Sequence, residues 1–191
     1  MTKVRAKGRA PWLPWPAMRH AAASLRNTAR VHQVGSNHTI SAALVMTAFS
    51  VEAFIQTIGP EVLPTTWITI ERKSVLHKLK EIGKATGITV DYGTLPWNLI
   101  KELFDARNRL AHAKPADREF EFILEIPDGA DEHDVLTAKL EEEFQPLHKL
   151  DKLDALAKTI DEALLLIWIS AGYEDFSFTS NGMNSWSFTA E

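Results

Sequence analysis

From position 17 to 110 the apolar residues recur every three or four positions, the spacing of one face of an α-helix. Pro16 stands near the start of the first such run and predicts a helix over 17–34. Gly35 breaks it. Ser36 or Asn37 can cap a second, long helix with Ile40, Leu44, Val51, Phe54, Ile55 and Ile58 on its apolar face, and Gly59-Pro60 ends it. Thr65 and Thr66 are caps for a third helix, striped by Trp67, Ile70, Val75, Leu79 and Ile82 and stopped by Gly87. Thr94 caps a fourth with Pro96 in its first turn. Leu99, Ile100, Leu103, Phe104 and Leu110 line its apolar side, and Pro115 stops it. A last long helix starts near Pro146, runs through Leu147, Leu150, Leu153, Leu156, Ile160, Leu164 and Ile167, and closes at Gly172.

Between the fourth and last helices the period changes to two. Phe120, Phe122, Leu124 and Ile126 alternate with Glu119, Glu121, Ile123 and Glu125, a strand pattern, and Pro127-Asp128-Gly129 is a turn. Beyond it, 135–139 reads either as the return strand of a hairpin or as a helix start. In the tail, a loop over 181–183 would set Phe178 opposite Trp186 and Phe176 opposite Phe188. The expected fold is therefore all-α, an up-and-down bundle of four to five helices. A small β insertion near 119–139 and a short C-terminal hairpin are expected additions. The domain plan is an arm over 1–16, a bundle over 17–172 and a polar, aromatic tail over 173–191. Within the arm, 1–10 reads as unstructured. Residues 11–16, with three prolines, read as an extended segment anchored by Trp12 and Trp15.

Composition narrows the chemistry. The chain has 191 residues, 45% of them hydrophobic, enough for one packed domain. It has no cysteine, which removes disulfide scaffolds, thiolate zinc sites and cysteine nucleophiles. The longest dense apolar run, 163–171, is about half of what a bilayer needs. No apolar stretch follows the basic residues of 1–10 to make a signal peptide. The expectation is a cytoplasmic protein without a membrane partner. Charge is divided unevenly: residues 1–51 carry seven Lys/Arg and no acid, whereas 117–143 holds eleven acids against two bases. The basic half suits either nucleic acid or the acidic half of the same chain.

One stretch concentrates functional side chains: Arg107, Asn108, Arg109, His112 and Lys114, at the end of the fourth helix. Asn108 and His112 share a helix face, Arg109 is three residues from His112, and Arg107 lies about 140° around from His112. Such residues can simply answer the helix dipole and cap its carbonyls. Their long side chains can also converge on one pocket if another helix covers the groove. His20, His32, His38, His77, His133 and His148 are scattered and form no metal-ligand motif. Glu52, the first acid in the chain, stands mid-helix among apolar neighbours. It either pairs with Arg107 or His112 or lies exposed on the polar face.

Arg107-Asn108 followed by His112, closing the penultimate long helix of an all-α bundle, resembles the R-x4-6-H motif of the HEPN superfamily. The stretch 50–54 on an early long helix and the Lys-rich 71–84 are similar to that family's pattern, and the resemblance covers roughly 17–170. It implies a metal-independent endoribonuclease, often a toxin or an antiphage effector, whose homodimer brings two Arg/His pairs into one cleft. No cofactor is implied. RNA and an antitoxin or other regulatory protein are the implied partners. His112 would move protons, Arg107 would hold phosphate and Asn108 would position one or the other. Arg109 and Lys114 would bind substrate and Glu52 would orient the site. Some HEPN toxins carry a tyrosine two residues after the histidine; Lys114 stands there instead, which disfavours that subclass. The alternative is a non-catalytic HEPN-type dimer that binds RNA or a nucleotide or scaffolds a partner. A blander alternative is a helical interaction protein whose Arg/His cluster is only a cap.

Overall fold

A computed structural model describes residues 4–9, 13–32, 35–112, 119–144, 147, 149–179 and 185–190. Strand β1 (Val4–Arg9) precedes the helices α1 (Pro14–Val31), α2 (Ser36–Val62), α3 (Trp67–Ile70), α4 (Val75–Ala85), α5 (Trp97–Ala111), α6 (Glu132–Phe144) and α7 (Leu150–Ser170). A 3-10 helix (Asp175–Thr179) and strand β2 (Ser185–Ala190) complete the order.

The body is helical, and α2 is its axis. Leu44, Ala48, Val51, Phe54, Ile55 and Ile58 are at most 1% exposed. They share one core with Leu79 and Ile82 of α4, Ile100 and Leu103 of α5, and Leu153, Ile160 and Ile167 of α7. By length and composition α2 is the one helix among the described residues that could cross a membrane, yet 56% of its apolar window is buried against this core. Gly35 turns the chain from α1 into α2 at φ +74°, a backbone region that costs other residues a Cβ clash. α1 then lies along α2 and is tied to α7 by charge. Arg19 pairs with Asp161 at 2.8 Å, Arg26 with Asp154 at 2.7 Å, and Arg30 also with Asp154. These three bases of the acid-free half thus find acids of their own chain.

Several sequence expectations are corrected. Pro14 and Pro16 are not in an extended segment; they occupy the first turn of α1, whose N–H groups have no intrahelical acceptor anyway, and 11–12 lie outside the described residues. Trp15 is 1% exposed and packs on Phe178, Phe54 and Trp168, with ring centroids 4.6, 5.6 and 6.1 Å away. Trp12 lies outside the described residues. Residues 4–9 are a strand, and it pairs antiparallel with β2, Val4 opposite Ala190 and Arg9 opposite Ser185. Among the described residues β2 therefore takes β1, not 176–178, as its partner, and the expected C-terminal hairpin does not form there; the expected loop over 181–183 lies outside the described residues. Phe176 and Phe178 lie in the 3-10 helix, where Phe178 (4% exposed) joins the core.

The expected β insertion does not form either. Residues 119–131 enter no ladder, and α6 occupies the place of a return strand. The alternation in 119–126 has no sheet to face: Ile123 is fully exposed, and Phe120 stacks on Phe122 at 5.4 Å. Asp131 decides for a helix, its Oδ1 accepting the N–H groups of His133 and Asp134 at 2.8 and 3.2 Å. The third expected helix is split, because Ser74 caps α4 by accepting the His77 N–H at 3.2 Å. α2 also outruns Pro60, which sits in its last turn and forfeits a single backbone hydrogen bond.

Candidate functional site

The last turn of α5 inherits its orientation from the turn before. Leu103 and Phe104 are buried and fix which face looks toward α2. Arg107, three and four residues on, follows that face. Its Nη2 donates to Oε1 of Glu52 on α2, and its Nη1 donates to Oδ1 of Asn108 at 3.0 Å. The guanidinium carbon lies 5.6 Å from the Phe49 ring centroid and 5.8 Å from that of Phe104, so the cation is framed by two aromatic rings. Arg107 and Glu52 side chains are 20% and 29% exposed, which puts the pair at the edge of the core rather than in open water. The Nε–H of Arg107 is buried without a hydrogen-bond partner among the described residues.

The other members of the motif face outward. His112 is the C-cap residue: its backbone N–H closes the helix on the Asn108 carbonyl at 2.9 Å. Its ring is exposed and makes no hydrogen bond or ion pair with the described residues. Arg109 is exposed on the same turn. Lys114 lies outside the described residues. On the outer side of α5, Lys101 pairs with Asp105 at 2.6 Å. The structure thus joins Glu52, Arg107 and Asn108 directly and leaves His112 and Arg109 accessible beside them. Among the described residues no three His, Asp or Glu side chains gather as a metal site.

Sequence reasoning missed Phe49. The signal was present in its spacing: 49 and 52 are three apart on α2, so a glutamate reaching α5 brings the ring with it. Phe49 and Leu110 are 37% and 38% exposed and give the site an apolar rim.

No protein-family model matches the chain, and neither a curated protein nor a solved structure matches it.

Proposed function

We propose that the protein is a metal-independent endoribonuclease of HEPN type that cleaves RNA through its own 2′-OH and acts as a toxin or antiphage effector. The observation that carries the reading is the Glu52–Arg107–Asn108 chain beside an exposed His112. Glu52 holds the guanidinium in one orientation across the α2/α5 groove, which is the preorganisation that phosphate stabilisation needs. His112 carries no internal partner among the described residues, so its imidazole is available to a substrate. In the proposed reaction His112 takes the proton of the 2′-OH as that oxygen bonds to phosphorus. The P–O5′ bond then breaks, and the 5′-oxygen leaves with a proton from the imidazole of a second copy of the chain. The products are a 2′,3′-cyclic phosphate and a 5′-hydroxyl.

A second reading has its own observation. Both Nη groups of Arg107 are already engaged by Glu52 and Asn108, which suits a strut between helices in a non-catalytic binding module. Cleavage of single-stranded RNA in EDTA, by the wild type and by His112→Ala, separates the two. The enzymatic reading expects EDTA-resistant cleavage with cyclic-phosphate ends and a rate roughly 100- to 10,000-fold lower in His112→Ala. Equal rates in the two proteins, or activity lost to EDTA, would leave the binding module.

A further inference from the structure

Between α1, α2 and α4 lies a cavity of about 460 Å³, lined by apolar Met18, Phe49 and Val75 and by polar Glu52, Gln56 and Lys78. Its size falls within the range of about 300–1,000 Å³ usual for small-molecule sites. Lys78 is its unusual member. The residue is 6% exposed, its ammonium donates to the Glu71 carbonyl at 3.2 Å, and it stands 5.9 Å from the Trp67 ring centroid. Among the described residues no carboxylate pairs with it. A lysine this buried, with a backbone carbonyl and an aromatic face as its recorded partners, is an uncommon choice where a methionine of similar length would fill the same space.

The charge on the lining makes the ligand class specific. Among the described residues Glu52 is the one carboxylate on the wall, and it is paired with Arg107. Lys78 thus adds a cationic side chain without a carboxylate partner among the described residues to an aromatic and aliphatic wall, its ammonium resting on the Glu71 carbonyl beside the cavity. We propose that this cavity binds a small organic anion, with a carboxylate or phosphate head at Lys78. Its apolar body lies against Met18, Phe49 and Val75, and Gln56 supplies a hydrogen bond. Lysine is a point charge without a fork and does not choose between the two heads. The inference does not depend on any RNA chemistry at His112.

Calorimetric titration of the full chain with phenyl phosphate, benzoate, inorganic phosphate and benzyl alcohol tests it. Phenyl phosphate or benzoate saturates one site per chain, and which of them binds tighter identifies the head. Inorganic phosphate, which lacks the body, binds roughly tenfold more weakly or worse. Lys78→Met lowers affinity for the organic anion by roughly tenfold or more, whereas Lys80→Met, an exposed neighbour on α4, leaves it unchanged. Methyl NMR of the wild type, independent of how any variant folds, shows the anion shifting Val75 and Met18. The proposal is overturned if neither organic anion binds or if benzyl alcohol binds as tightly. Binding that survives in Lys78→Met, or shifts that map away from Val75 and Met18, would overturn it equally.

Discussion

Arg107 does its work through partners that stand far away in the chain. Glu52 is 55 residues distant, and the pair sits where solvent screening is reduced on both sides. Removing either member leaves the other charge at the core edge with fewer hydrogen bonds. Glu52→Gln and Arg107→Met are each expected to cost about 1–3 kcal/mol in urea unfolding. The double variant should lose less than the sum, with a coupling of about 1 kcal/mol or more. Additive losses would show that the two side chains merely coincide. At His112 the expectation is reversed: the exposed ring contributes little to folding, so His112→Ala should unfold at the wild-type urea concentration while cleavage falls. That contrast separates a residue kept for chemistry from one kept for architecture.

Within elements, close approach matters more than propensity. Gly59 is buried in α2, and an added Cβ would lie 2.0 Å from Cζ3 and 2.3 Å from Cη2 of Trp67. In an exposed helix the change to alanine would gain up to about 1 kcal/mol from propensity. Here the indole must move, and Gly59→Ala is expected to destabilise by about 1–3 kcal/mol in thermal unfolding. A neutral or stabilising result would mean that α3 shifts freely over α2. The same indole is one contact of Lys78, so the short α3 turn braces the α2–α4 packing that frames the cavity.

At the scale of the molecule, the two chain ends are part of the architecture. β1 and β2 pair with each other, and Trp15 and Phe178 meet in the core beside Phe54. Deleting 1–9 removes one strand of the ribbon and leaves the aromatic cluster intact. Deleting 1–16 also removes Trp15, and should cost about 3–5 kcal/mol more, as for truncation of a large buried aromatic. Equal urea midpoints for the two truncated chains would contradict the burial of Trp15. Assembly is the other property at this scale. The proposed reaction needs a second imidazole, which a two-fold contact around the end of α5 would supply from identical surfaces. Sedimentation at micromolar concentration should give a particle of twice the 21.4 kDa chain mass; a monomer would remove the acid from the proposed step.

Helical class, the buried positions of α2 and α7 and most of those of α5 were legible in the sequence, although Leu110, expected on the apolar side of α5, is 38% exposed. Each depends on backbone geometry within a few residues, and a period of 3.6 writes that geometry directly into residue order. The alternating stretches at 119–126 and 176–178 misled because a period of two needs a partner sheet, and partnership is not local. The first stretch met α6 and stayed irregular, and the second was drawn into the core through Phe178. Proline in 14–16 misled for a related reason: the same residue breaks a helix interior and fits a first turn, and only Trp15 finding Phe54 and Trp168 decided where α1 begins. Tertiary packing likewise chose Arg107 rather than His112 for Glu52, and placed Phe49 beneath the guanidinium. Which faces of α2 and α5 meet depends on the whole core, so these contacts exist only once distant segments have been packed together.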